Sequence, residues 1–426
     1  MRVLFLHNNF PAQYRHIAGA LAARPEHQVM FGTHQQAGSL PGVTKGIFRP
    51  ARAPHKSTHP YLRWMEGAVL NGQAVYRYCR ELKQKGFVPD VVCGHSGWGP
   101  TLYVKDVFPE ARLLCYFEWY YWARNSDADF LDPASVDEDD ACRIRTRNAA
   151  ILLDLAHCDW GLSPTRFQRS RFPEQFQDKI SPLHDGIDTD YFQPAPGARL
   201  VLPGLDLTAA GEILTYATRG MEPYRGFPQF MRAAALLLQR RPNLHVVVLG
   251  AERVVYGKQL PEGQSYRQLM LAELPGLDQT RLHFTGLLPY DQYLRVLQAS
   301  SAHVYLTVPF VLSWSLLESM ATGCAVVGSD TAPVREFISD GTNGLLADFF
   351  SPGHLAGRIE EILDHPTHRA DLRAAARATI CDRYALRDLL GKHVALIEAV
   401  AAGRLPPPTA PATGPAAAAS VAAGVR

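Results

Sequence analysis

The chain has 426 residues, 47% of them apolar and 20% charged, and its 43 basic against 41 acidic residues leave a formal net charge of +2. That length favours two or three domains with cores of their own, and with that composition it excludes both a small stapled module and a disordered chain. So even a charge balance argues against broad nucleic-acid binding by phosphate neutralisation. No run approaches the roughly 18 apolar residues of a membrane-spanning helix. Seven widely spaced cysteines with no Cys-x-x-Cys pair fit a reducing compartment better than a zinc ribbon.

The elements alternate from the start. Val3 to Leu6 reads as a buried strand too short for a secretion signal, Arg15 to Arg24 as an amphipathic helix, and Gln28 to Gly32 as a second strand. Asp90 to His95 and Ala111 to Tyr116 predict two more, with a helix between Thr101 and Phe108. From His184 to Gly211, Pro194, Pro196, Gly197, Pro203 and Gly204 mark an interdomain connection. Strands are then expected at Ile213–Thr218, Leu244–Leu249, Leu282–Thr285, His303–Thr307 and Ala325–Ser329, separated by helices at Pro228–Arg240, Gln264–Glu273, Asp291–Ala299 and Ser315–Ala321. Three further helical patterns, Leu355–Leu363, His368–Tyr384 and Leu386–Val400, follow. This is the signature of α/β domains with open parallel sheets. The expected division is 1–190 with helix 386–402 packing back on it, 191–385, and a disordered Ala- and Pro-rich tail, 403–426.

Two segments point to phosphate chemistry. In Thr307 to Asp330 a strand, a polar turn, a short helix and a glycine stop follow one another, and the helix start at Ser313, Trp314, Ser315 and Leu316 offers backbone N–H groups to a phosphate. Glu318 lies one turn in, placed either to accept ribose hydroxyls or to close a capping box with Ser315. In Thr218 to Phe227, Arg219, Gly220, Arg225 and Gly226 sit at a strand-to-helix turn. They read either as a diphosphate cradle or as solvated arginines beside turn glycines. His95, just past a strand end, and Glu118, among aromatic residues, are either substrate-facing or structural.

These features and their order resemble the retaining glycosyltransferases of family 4, a bacterial subgroup of GT-B fold. The resemblance covers about residues 1 to 400. It rests on the Arg219 to Gly226 turn, the Pro309 to Gly323 segment, His184-Asp185-Gly186-Ile187-Asp188, Asp340-Gly341-Thr342-Asn343-Gly344-Leu345-Leu346, and the opening Leu4-Phe5-Leu6-His7-Asn8-Asn9-Phe10-Pro11-Ala12-Gln13-Tyr14-Arg15-His16.

The resemblance implies two Rossmann-like domains facing across a cleft. It places Arg219 and Arg225 on the donor diphosphate as catalytic groups together with His95, and Glu318 on the nucleotide ribose as the second Glu of a Glu-x7-Glu motif. Phe310 stands where the first Glu would be, and Gly220, Ser313, Trp314, Ser315 and Leu316 complete the donor side. Glu118, Asn9 and Arg15 fall on the acceptor side, where Pro11, Gln13 and Arg15 replace the family's glycine pair. The first βα turn, His7 to Arg15, holds no glycine, so a Walker loop and a dinucleotide fingerprint are absent there. Asp127-Ala128-Asp129 and Asp188-Thr189-Asp190 have Asp-x-Asp spacing, but no metal and no cofactor is expected, the arginines taking the cation's part.

The implied function is metal-independent hexosyl transfer with retention from a nucleotide-diphosphate sugar to a glycan or lipid-linked acceptor, in cytoplasmic polysaccharide or glycolipid biosynthesis. Nucleic acid is not an expected partner. Peripheral docking at the inner face of the membrane is compatible with Arg166 to Phe172, which reads otherwise as a solvated helix face. The rival readings are a catalytically silent GT-B sugar-binding or scaffold protein, motivated by Phe310, and a GT-B epimerase.

Overall fold

The computed structural model describes residues 1–404 and residue 406; most of the tail expected at 403–426 lies outside the described residues. The chain divides into two compact units, Met1–Gly186 together with the chain from Arg387, and Ile187–Leu386.

The N-terminal unit is built on seven strands: β1 Arg2–Leu6, β2 Gln28–Thr33, β3 Val43–Ile47, β4 Val91–His95, β5 Arg112–Tyr116, β6 Trp160–Ser163 and β7 Ile180–Pro182. They pair in parallel in the order β3-β2-β1-β4-β5-β6-β7. Alternation along β1 explains why both sheet faces are covered. Leu4 and Leu6 enter one core with Val92, Leu113 and Cys115, whereas Val3 and Phe5 enter the other with Val29, Phe31 and Val91. The helix Leu386–Ala401 lays Val394, Leu396, Ile397 and Val400 into that second core. His393 Nε2 lies 2.9 Å from the His184 carbonyl oxygen.

One long element was not predicted. Arg63–Gln84 is a 22-residue helix whose buried stripe includes Ala68, Asn71, Gly72 and Cys79, so its periodicity is carried partly by small and polar residues. Gly72 and Gly99 let this helix and the loop after β4 meet. A Cβ on Gly72 would lie 2.9 Å from the Gly99 oxygen, and one on Gly99, at φ +97, 1.9 Å from the Ala68 oxygen. The helix expected at Thr101–Phe108 is one turn only, Val104–Val107.

In the second unit a small hairpin, β8 Val201–Leu202 and β9 Leu205–Asp206, occupies the proline-rich connection. Six parallel strands follow: β10 Glu212–Gly220, β11 Leu244–Ala251, β12 Leu282–Gly286, β13 Ala302–Tyr305, β14 Val326–Ser329 and β15 Leu345–Ala347, in the order β12-β11-β10-β13-β14-β15. Asp340 stabilises the turn into β15 by accepting from the Leu346 N–H at 2.8 Å. Strand order reverses between β1 and β4 in one unit and between β10 and β13 in the other. In doubly wound sheets that is where crevices for ligands open, beyond the carboxyl ends of the strands. Among the described residues no helix is long and apolar enough to cross a membrane.

Candidate active site

In the second unit, Arg225 sits in the turn between β10 and the helix Phe227–Arg240. Its guanidinium is 6% exposed and donates to Thr307 Oγ1 at 2.7 Å and to the Val311 carbonyl at 3.1 Å, with the Tyr305 hydroxyl at 3.5 Å. It lies 5.1 Å from the ring centroid of Tyr256 and 6.0 Å from that of Phe310. Burial opposes its charge, but the surrounding Tyr305, Tyr256 and Glu222 side chains more than offset that. A buried cation whose hydrogen-bond partners are neutral is suited to an incoming anion. The Tyr305 hydroxyl also accepts from the Ser313 N–H at 2.8 Å, so it ties Arg225 to the start of the helix Trp314–Ala321.

At that helix start Ser313 is the N-cap, its Oγ accepting from the Ser315 N–H at 3.3 Å and from the Ser315 hydroxyl at 3.0 Å. One backbone donor of the turn is therefore already taken. Glu318 closes no capping box with Ser315. Its carboxylate accepts from the Tyr290 hydroxyl at 2.9 Å and from the Tyr293 hydroxyl at 3.1 Å. Burial raises its pKa above the usual carboxyl range, and the two phenols pull it back only in part.

Phe310, at the position of the motif's first Glu, is buried, with Tyr224 at 5.7 Å and Tyr256 at 5.1 Å between ring centroids. The Asp-x-Asp segments serve local structure. Asp129 takes the Asn125 and Ser126 N–H groups, and Asp188 those of Asp190 and Tyr191. Among the described residues no three His, Cys, Asp or Glu side chains are grouped to hold a metal ion.

Arg219 is exposed at the end of β10 and, among the described residues, makes no hydrogen bond or ion pair with the Arg225 cluster. Gly220 serves a protein contact: a Cβ there would lie 2.6 Å from the Arg253 oxygen. Sequence reading missed Glu222, which organises this corner. Its fully buried carboxylate accepts from the N–H groups of Val255, Tyr256 and Gly257 at 3.1, 2.9 and 2.9 Å, which holds Tyr256 over Arg225. An acid just before a proline at a strand-to-helix turn was the available signal.

In the N-terminal unit, His95 ends β4, and its Nε2 is 3.7 Å from Glu118 Oε2. Trp98 stacks on its ring at 4.2 Å. Gln13 donates to Glu118 Oε1 at 3.4 Å, so the first βα turn reaches the same place. His7, absent from the predicted site, lies with its ring 5.0 Å from that of His95. Burial first, and then the His95 charge, lower its pKa well below the ordinary histidine value, with Asn9 and Gln13 partly opposing. Asn71 fixes both loops, donating to Asn8 Oδ1 at 2.8 Å and to the Trp98 carbonyl at 2.7 Å. Asp154 accepts from the Ser96 hydroxyl at 2.7 Å, and burial pushes its pKa up to about 6. Asn9 and Arg15 are exposed on the turn after β1.

Two parallel-sheet units, each with polar groups gathered at the switch point of its sheet, define a doubly wound α/β architecture. Residues 25–192 match the family described as "Glycosyl transferase family 4 group", and residues 210–379 match "Glycosyl transferases group 1". The chain belongs to the family 4 type of glycosyltransferases.

The D-inositol 3-phosphate glycosyltransferase of Streptomyces avermitilis is 28% identical over 216 residues, 50% of this chain and 45% of that protein. The enzyme of that name from Thermobispora bispora is 27% identical over 204 residues, 47% of this chain and 46% of its own. The chain thus spans about half the length of the curated relatives it matches. Among solved structures, Anabaena HepE in complex with UDP and glucose aligns with a TM-score of 0.67 at 15% identity, over 94% of this chain and all of that one. Sucrose-phosphate synthase from Thermosynechococcus elongatus aligns at 0.70 and 14%, over 95% of this chain. The fold is GT-B.

Proposed function

We propose that this protein transfers a sugar, with retention, from a nucleotide-diphosphate sugar to a hydroxyl acceptor, a glycan or a lipid-linked saccharide, in polysaccharide or glycolipid assembly on the cytoplasmic side of the membrane. The observation that carries this reading is the buried Arg225 guanidinium, held by neutral partners at the end of β10 and β13 and tied through Tyr305 to the helix that bears Glu318. A leaving diphosphate gains most from a preorganised cation that needs no reorganisation when charge develops. Glu318, one turn along, supplies two oxygens for a ribose diol. The solved HepE structures contain UDP and UDP-glucose, which supports a nucleotide-sugar donor here. Release of the nucleotide from UDP-, GDP-, ADP- and TDP-sugars, followed with and without EDTA, tests the reading; EDTA-insensitive turnover of one donor supports it.

The aromatic packing of Phe310 favours one alternative, a GT-B protein that binds the donor without turning it over. Tight binding with no release of nucleotide in the same experiment distinguishes that case.

A further inference from the structure

In the N-terminal unit the last residue of the helix Glu138–Arg147 is a cation without a counter-ion. The Arg147 guanidinium lies 4.2 Å from the ring centroid of Trp64 and 3.8 Å from that of Tyr121. Those two rings form no aromatic pair with each other, so they cover opposite sides of it. Among the described residues Arg147 makes no hydrogen bond and no ion pair, and its Nε is buried without a partner. The residue as a whole is half-buried, so its terminal Nη groups are the edge that solvent reaches. Rings on both faces stabilise the cation and leave that edge for a hydrogen-bond acceptor. Both rings are fixed. Trp64 Nε1–H donates to the Gly97 carbonyl at 3.2 Å, two residues past His95. The buried Asn148, next along the chain, accepts the Tyr121 N–H at 2.9 Å and donates to the Tyr121 carbonyl at 2.8 Å, and Tyr121 is three residues past Glu118. The cation therefore stands beside the loops after β4 and β5, held in place before any ligand arrives.

We infer that Arg147 receives one carboxylate of an acidic saccharide, whose two oxygens meet the terminal N–H groups in the plane of the guanidinium, between the rings of Trp64 and Tyr121. A planar carboxylate matches that edge with two parallel hydrogen bonds, and its single charge matches a single cation. A phosphate monoester carries about −1.5 to −2 charges at pH 7, which the surroundings disfavour. Burial pushes the Tyr121 phenol up to about 12, the Arg147 charge opposes this, and Glu118 and Asp127 add to it, so two carboxylates already act on the same spot. A neutral hydroxyl gains only ordinary hydrogen bonds from the fork. The inference rests on the glycosyl-transfer reading and adds that the acceptor bears an acidic sugar unit.

The test uses the full chain with its Arg147→Gln and Arg147→Lys variants, titrated with D-glucuronate, D-glucose, inorganic phosphate and UDP while the Arg147 side-chain and Trp64 indole N–H signals are followed by NMR. D-glucuronate should shift both signals and D-glucose neither. Arg147→Gln should bind D-glucuronate about tenfold more weakly, and Arg147→Lys, which keeps the charge without the planar fork, should recover only a small part of that loss. An intact thermal transition shows that each variant is folded, and the wild-type shifts decide the matter for one that is not. Tighter binding of phosphate than of D-glucuronate overturns the carboxylate assignment in favour of a phosphate site. If D-glucuronate shifts neither signal, or binds either variant as it binds the wild type, the inference is overturned and the cation is stacked and solvated only. Failure of the wild type to bind UDP overturns the nucleotide-sugar reading instead, and the D-glucuronate arm then decides Arg147 by itself.

Discussion

Arg225 donates to Thr307 Oγ1 at 2.7 Å, so a guanidinium at the end of β10 is locked to the chain leaving β13 by an uncharged partner. The contact fixes the fork without neutralising it. Arg225→Lys keeps the charge and loses the fork geometry, and it should weaken UDP binding about tenfold by calorimetry, whereas Arg225→Met should abolish measurable binding.

Glu222→Gln tests how the aromatic cover over Arg225 is held. The carboxylate takes three backbone N–H groups from residues 255 to 257, and a neutral amide replaces charge-assisted bonds by weaker ones. A loss of about 2 kcal/mol in unfolding free energy is expected, with faster amide exchange at Val255, Tyr256 and Gly257 and weaker UDP binding. Unchanged exchange at those three amides would contradict the assignment.

Glu318→Gln separates stability from binding. Burial raises the pKa of Glu318, so the folded state prefers the protonated acid. The stability it contributes is complete below the ordinary carboxyl pKa and is lost as pH rises through the raised folded value. The variant should therefore melt no lower than the wild type at pH 7 in the absence of nucleotide, yet bind UDP about tenfold more weakly. Parallel losses in both would point to a purely structural carboxylate.

Much of this fold was legible because parallel strands covered on both faces read as unbroken apolar runs, as Val3 to Leu6 and Val246 to Leu249 do. The helix Arg63–Gln84 was not, since Asn71, Gly72 and Cys79 dilute the stripe that it buries. β15, three residues long, is too short for any periodicity to show. In the site, Arg225 and Glu318 were visible through their motifs. Glu222 and Tyr256 were not, because they meet only when a loop from β11 folds back onto the β10 turn. Arg219 looked equivalent to Arg225 in sequence, but the five residues between them place one in solvent and the other in the interior. His7 was hidden by its position at the end of a strand, where a buried histidine looks like any other core residue.

Asp154 provides a pH signature in the other unit. Its pKa is about 6 in the folded chain against an ordinary 3.8, so the folded state binds the extra proton and stability falls as pH rises from about 4 to 6, by about 3 kcal/mol in total. Asp154→Asn should flatten the melting temperature over that window. A pH profile that is unchanged would show that the carboxyl is not buried as placed.

The most direct measurement is calorimetric titration of the full chain with UDP in EDTA, for the wild type, Arg225→Met and Glu318→Gln, each checked for an intact thermal transition. Placement of the nucleotide on Arg225 and Glu318 predicts metal-independent binding by the wild type, none by Arg225→Met and about tenfold weaker binding by Glu318→Gln. Equal affinity in all three, or a wild type that binds UDP only when a divalent cation is restored, would contradict it.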